Sequence, residues 1–290
     1  MPRSMKRRRI QMNHLERAPA NGQTDNAIDV TFNSHGFLLK GKFYVARGEG
    51  PFPTLILLQG FPGNEQDVLG VGQKNSEAGI NALTFNYSGT YRSEGEFGLE
   101  NTLRDIDAAY QYVHHREIFT RFKVDTTKIY LGGYSYGGGM ALTYMANHPE
   151  MRGVISIAGT DHGELAREYS RNASFAKAID SIFEELKAPK GPVRFEGKEA
   201  FKELLDSADT YDLRRSAPSL ANRDILLIGG LDDGDVTIEN HLLPLYRAIR
   251  KEGAQSLQFI VYQTDHSFKN VRDQLAEQII DWIRSQSKGS

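Results

Sequence analysis

The sequence predicts an α/β protein built on a mostly parallel sheet with helices on both faces. Three observations carry this expectation. Short apolar runs alternate with amphipathic stretches along most of the 290 residues, as strands joined by helical crossovers do. Thr54–Gly60 (TLILLQG) and Gly153–Ala158 (GVISIA) are almost continuously apolar, which suits strands buried on both faces. Finally, the glycine-rich Leu131–Met140 (LGGYSYGGGM) falls between a strand pattern and a helix pattern.

The elements follow in order. Asp29–Phe32 and Phe37–Ala46 read as a hairpin turned at Ser34-His35-Gly36. Thr54–Gly60 is a buried strand, Asn64–Ala78 a helix and Asn81–Tyr87 the next strand. Leu99–His115 places Leu99, Leu103, Ile106, Ala109, Tyr110 and Val113 at helical spacing. Lys128–Gly132 is a short strand, and the helix from Gly138 to Asn147 is stopped by Pro149. Gly153–Ala158, Asp224–Gly229 and Leu257–Tyr262 complete the strands, with helices at Glu239–Lys251 and Asn270–Ser285.

The rhythm breaks between Ala158 and Asp224, where more than sixty residues pass without a strand pattern. A structureless loop of that length does not suit a compact domain. Phe175, Ile179, Ile182 and Leu186 are expected on one helix face, and Phe201, Leu204, Leu205 and Ala208 on another. The chain therefore divides into a basic tail (1–26), a core (27–159 and 223–290) and a helical lid insertion (160–222).

Composition narrows the function classes. A net charge of −2 argues against nucleic acid as the main partner. Residues 1–20 hold six of the basic residues and one acid, which fits a solvated terminus. Its Lys6–Arg9 run (KRRR) has an address or a nucleic-acid tether as the alternative reading. There is no cysteine, hence no disulfide or thiolate chemistry. The longest apolar run, Leu55–Leu58, is too short for a membrane span. The basic start lacks a following apolar segment, so a cytoplasmic protein without a secretory signal is expected. No His-Glu-x-x-His, cysteine pair or calcium loop is present, so no metal or other cofactor is expected.

Gly133-Tyr134-Ser135-Tyr136-Gly137 is a G-x-S-x-G between a strand and a helix, the context of a nucleophile elbow. So tight a turn leaves no room for neighbouring side chains, and it lifts the Ser135 hydroxyl above the sheet. No Lys-Ser or Lys-Thr follows the glycines, against a phosphate loop. A serine needs a base to react at neutral pH. Of eight histidines, His162 and His266 stand beyond strand ends, and His266 lies on the loop past the last strand. The acid that orients it is sought among Asp232, Asp233 and Asp235, with Asp161 as a rival past another strand. Oxyanion donors are expected from the N–H of Tyr136 and of Phe61, in Gln59-Gly60-Phe61-Pro62-Gly63. Tyr134 and Tyr87 are candidate substrate contacts beside Phe61 and Tyr136.

These segments, Q-G-F-P-G, G-Y-S-Y-G, G-G-L-D-D-G-D-V and T-D-H-S-F, occur in the order found in α/β hydrolases, which the chain resembles from about Asp29 to Ser285. The resemblance implies an eight-stranded sheet and a lid after the sixth strand. Its G-x-x-D pattern, counted from Gly230, selects Asp233 over Asp232. Gln59-Gly60-Phe61 is similar to the H-G-F loop of cinnamoyl- and feruloyl-type esterases and of prolyl-oligopeptidase-like hydrolases. Asn86–Phe97 is similar to their N-Y-R-G-x-G-x-S-x-G segment. Gln59 stands where that histidine is usual and Ser88 where arginine is frequent. The expectation is a serine hydrolase of short-chain or aromatic carboxylic esters, with a small-molecule ester as partner. A peptidase or amidase with the same triad is the alternative, and a silent binding protein is the rival from another class.

Overall fold

The computed structural model describes residues 27–151, 153–195 and 199–288; the expected basic tail, 1–26, lies outside them. Eight strands form one sheet in the order β1-β2-β4-β3-β5-β6-β7-β8. They are β1 Ala27–Ser34, β2 Phe37–Tyr44, β3 Phe52–Leu58, β4 Asn81–Phe85, β5 Val124–Tyr134, β6 Gly153–Ile157, β7 Asp224–Gly230 and β8 Leu257–Tyr262. The β1–β2 and β2–β4 pairings are antiparallel. From β4 to β8 every pairing is parallel.

The parallel strands alternate two buried faces. In β3, Leu55 and Leu57 enter one apolar cluster while Ile56 and Leu58 enter the other. β7 divides likewise, Leu226 and Ile228 against Ile225 and Leu227. Each such side chain contributes about 2 kcal/mol on burial, which is why these strands read as unbroken apolar runs. The edge strand β8 is only partly covered.

Helices follow the strands: α1 Val71–Glu77, α2 Leu99–His114, α3 Arg116–Phe122 and α4 Tyr136–Asn147. Between β6 and β7 come α5 His162–Arg171, α6 Ala173–Leu186, α7 Glu199–Asp206 and α8 Ala217–Leu220. A π turn, Ile238–Leu242, leads into α9 Leu243–Lys251, and α10 Arg272–Lys288 ends the described chain. No helix among the described residues is long and apolar enough to cross a membrane.

Several boundaries differ from the sequence reading for identifiable reasons. α1 begins at Val71, not Asn64, because the Asp67 carboxylate accepts from the N–H groups of Gly72 (2.6 Å) and Gln73 (2.9 Å) and starts the helix there. α2 ends within a residue of the expected His115, which is extended, and a short helix the sequence reading did not name, α3, follows it. Pro244 has no N–H to continue a regular turn, and the expected single helix is a π turn plus α9. On α6, Ile182 is exposed, and Phe183 takes the inward position with Ile179 and Leu186. Phe201 and Leu204 are buried as expected.

Arg194, in the stretch between α6 and α7, donates to the carbonyls of Gly95 (3.3 Å), Tyr91 (3.1 Å) and Ser93. Main-chain bonds Tyr91 N to Pro192 O (2.8 Å) and Arg194 N to Gly89 O (2.7 Å) run alongside. The segment between β6 and β7 is thereby fastened to the loop after β4.

Candidate active site

Parallel pairing brings the C-terminal ends of β3, β5, β7 and β8 to one rim. Leu58 pairs with Gly133, Tyr134 with Ile157, and Gly230 with Tyr262. The loops carrying Phe61, Ser135, Asp233 and His266 all leave from that rim.

Ser135 is the single residue between β5 and α4, with φ 54° and ψ −120°. Such a conformation costs a non-glycine residue on the order of 1–3 kcal/mol. It is held by Ser135 N–H to Ile157 O (2.8 Å), while Ser135 O accepts from Thr160 (3.1 Å) and Gly139 (3.2 Å). Close approach explains the flanking glycines. A Cβ on Gly133 would lie 2.3 Å from Gly137 O, and one on Gly137 2.4 Å from Gln59 O.

The His266 imidazole bridges two loops: Nε2 lies 3.0 Å from Ser135 Oγ and Nδ1 2.7 Å from Asp233 Oδ2. A carboxylate accepts, so Nδ1 carries the proton toward Asp233 and Nε2 is left to accept from Ser135. The Asp233 side chain is fully buried. Its other oxygen accepts from the N–H groups of Asp235 (2.9 Å) and Val236 (2.8 Å).

Of the other candidates, Asp235 lies close by, while Asp232, Asp161 and His162 are engaged elsewhere. Asp232 accepts from Gln263 Nε2 at 2.6 Å. Asp265 accepts from Ser267. Asp161 caps α5, taking the Glu164 N–H at 3.0 Å, and burial pushes its carboxyl up to about 6. His162 is buried against Tyr136, and burial pushes its imidazole down to about 3. Asp233, Asp235 and His266 bring donor atoms within 4.8 Å of one another. The imidazole of that group is already shared between Ser135 and Asp233.

The loop after β3 crosses the elbow. A Cβ on Gly60 would sit 3.4 Å from Ser135 Cβ. Tyr136 opens α4, and its N–H is among the first-turn donors that a helix leaves without an internal acceptor. Neither this N–H nor that of Phe61 has a main-chain partner among the described residues. The Phe61 ring packs against Phe97 (4.6 Å between centroids), Phe183 (5.5 Å) and Tyr136 (5.9 Å).

Tyr87 departs from expectation. It is 1% exposed and donates its hydroxyl to Gln59 O at 2.7 Å. It lies beneath the loop as a support, so its expected contact with substrate is withdrawn. Gln59, in the place of the usual histidine, donates its amide to Gln66 O at 2.5 Å, so the loop is tied across its own base. Thr84 Oγ1 donates to Glu65 O at 2.7 Å, and Arg92 pairs with the Glu65 carboxylate.

Ser88, in the place of the frequent arginine, is also an anchor. Its N–H (2.6 Å) and hydroxyl (2.8 Å) donate to buried Asp105, which takes a third bond from Ser34 Oγ (2.7 Å). The sequence held a signal for this: a carboxylate on the same α2 face as Thr102, Ile106 and Ala109. Arg194 gave none, because its partners are main-chain carbonyls far along the chain.

Burial pushes the Asp105 carboxyl from 3.8 up to about 6, against the hydrogen bonds that lower it. The folded state therefore keeps a proton that the unfolded chain loses between these values. The associated stability is full below about pH 4 and is lost as pH rises through about 6. The stability of the wild type relative to Asp105→Asn should fall by on the order of 3 kcal/mol between pH 4 and pH 7. Urea unfolding of both proteins across that range checks it.

An eight-stranded sheet of this order, with a serine at a strained strand–helix turn on its carboxyl rim, defines an α/β hydrolase. Residues 77–290 match the prolyl oligopeptidase family (peptidase S9), and the chain belongs to that family. Among solved structures, it is similar to the Pyrococcus furiosus esterase Pf2001, with a TM-score of 0.67 at 16% identity, covering 95% of this chain and 98% of that one. It is also similar to Est1E from Butyrivibrio proteoclasticus, with a TM-score of 0.62 at 16% identity, covering 90% of this chain and 99% of that one. Est1E has also been solved with ferulic acid bound. A curated Escherichia coli relative, an uncharacterized 31.7 kDa protein in the traX-finO intergenic region, is 27% identical over 153 residues, 50% of this chain. The chain spans about half the length of that relative, 52%.

Proposed function

We propose that the protein is a serine hydrolase cleaving carboxylic esters of short-chain or aromatic acids, with Ser135, His266 and Asp233 as its catalytic triad. The observation that carries this reading is the unbroken hydrogen-bonded line from Ser135 Oγ through the imidazole to Asp233. Ser135 Oγ attacks the ester carbonyl as its proton passes to His266 Nε2. Asp233 holds the imidazole and stabilises its cation. The carbonyl oxygen, now an oxyanion, receives the N–H groups of Phe61 and Tyr136. His266 then gives its proton to the departing alcohol. Water, deprotonated by the same nitrogen, releases the acid from Ser135.

The aromatic group of Phe61, Phe97 and Tyr136 beside the elbow favours a flat or short acyl group. Residues 160–222 form the lid in this reading. Phe183 of α6 rests on the Phe61 ring, so the lid bears directly on the oxyanion loop. The rest of the described chain is the hydrolase core. Family membership favours peptide or amide substrates as a second reading, using the same residues.

The test is a substrate panel: p-nitrophenyl esters of increasing acyl length, a cinnamate ester and aminoacyl-p-nitroanilides. Fast turnover of short or aromatic esters and slow turnover of anilides is expected. A preference for anilides would install the peptidase reading, and a preference for long chains would defeat the acyl assignment. Failure of Ser135 to react with a fluorophosphonate probe would support a silent binding protein.

A further inference from the structure

The geometry points to Tyr134 as the positioning residue for His266, holding the imidazole from behind; the inference rests on the hydrolase reading above. Tyr134 is the last residue of β5 and precedes Ser135 directly. Its hydroxyl donates to the main-chain carbonyl of His266 at 2.8 Å, linking points 132 residues apart. Its ring lies 5.0 Å from the imidazole at an interplanar angle of 33°. No other main-chain hydrogen bond to His266 occurs among the described residues. The neighbouring positions of the loop are secured by Asp265, Thr264 and Asn270, but at His266 itself the phenol supplies the attachment.

The same ring meets the oxyanion loop. A Cβ on Gly60 would lie 3.0 Å from Tyr134 Cδ1 and 3.2 Å from Cε1, so the loop backbone rests directly on the ring. One side chain thus touches the donor loop and the base, and its own backbone leads into the nucleophile. Its backbone is fixed by pairing with Ile157 in β6. Burial, with the nearby Asp233 and Asp235 carboxylates, pushes its phenol up to about 12, so the hydroxyl remains a donor at neutral pH. With the hydroxyl given to His266 and the ring covered by Gly60 and the imidazole, Tyr134 is a support rather than the substrate contact expected from sequence. A rigid second layer of this kind sets the geometry of the reacting groups.

Tyr134→Phe and Tyr134→Leu test this. The hydroxyl bond is worth about tenfold in rate if it aligns the base. Tyr134→Phe should therefore lower kcat by about tenfold with KM within about twofold. Tyr134→Leu, which also loses the ring, should lower kcat by about a hundredfold. A second readout is independent of turnover. The C–H proton resonances of the His266 imidazole, assigned by their disappearance in His266→Gln, should keep the ring-current shift in Tyr134→Phe and lose it in Tyr134→Leu. If the wild type neither hydrolyses esters nor reacts with the fluorophosphonate, the hydrolase reading fails, and the resonances still decide the contact. A KM that rises with kcat intact in Tyr134→Phe would make the phenol a substrate group. Unmoved imidazole resonances in folded Tyr134→Leu would overturn the proposal outright.

Discussion

Replacing Ser135 by alanine is expected to reduce kcat on p-nitrophenyl acetate by at least about 10⁴-fold, with the fold intact. In the proposed mechanism the hydroxyl forms the acyl bond, and His266 Nε2, at 3.0 Å, takes its proton. His266→Ala should cost a similar factor, and the double variant little more than either alone. Under the proposed mechanism the two groups serve one step, so their losses should overlap instead of multiplying. Asp233→Asn has a structural consequence that can be worked out. Asp233 Oδ1 accepts two N–H groups, from Asp235 and Val236, so the asparagine oxygen must stay on that side. Its NH₂ then faces His266 Nδ1. That nitrogen must accept, the proton moves to Nε2, and the base can no longer take the Ser135 proton. A loss of about 10⁴-fold is expected from the wrong tautomer alone. Steady-state kinetics of the three single variants and the double variant check this. Multiplying losses would mean that Ser135 and His266 act in separate steps.

The parts legible in the sequence were those that chemistry confines to short windows. The strand–glycine–serine–glycine–helix junction is local, because β5 and α4 are adjacent in the chain. Continuous apolar runs announced β3, β6 and β7 since both faces of those strands are covered. What was not legible depends on distant partners. Tyr87 looked like a pocket residue until its hydroxyl was seen on Gln59 O. Ser88 stands where arginine is frequent, and although Asp105 was recognisable as a carboxylate on a buried helix face, nothing in the sequence paired the two. Ile182 and Phe183 are equally apolar in sequence, and only the packing against Phe61, Phe195 and Phe201 turns Phe183 inward. The end of α2 was read to within one residue, at His115, but the short α3 that follows was not named.

The second large effect is expected at a residue with no reacting group. Gly137→Ala should destabilise the protein by about 3–5 kcal/mol, a range reserved for steric conflict or loss of packing at a buried site. Helix propensity argues the other way, since alanine in a helix is about 1 kcal/mol better than glycine. The decision rests on the space around the added methyl. It would stand 2.4 Å from Gln59 O, 2.8 Å from Leu58 Cβ and 2.9 Å from Leu58 C. These atoms belong to the end of β3 and the start of the oxyanion loop, not to a flexible side-chain tip. Relief requires α4 to part from β3, which also moves the Tyr136 N–H away from the Phe61 loop, so activity should fall in whatever fraction stays folded. Gly234→Ala provides the comparison. It lies on the Asp233 loop, has nothing within 4 Å of its added Cβ, and should change stability by no more than about 0.5 kcal/mol. Urea unfolding of the two variants separates close approach from a general intolerance of change at this rim. If Gly137→Ala stayed within about 1 kcal/mol of the wild type, the contact between α4 and the Gln59 carbonyl would not be the constraint that keeps glycine there.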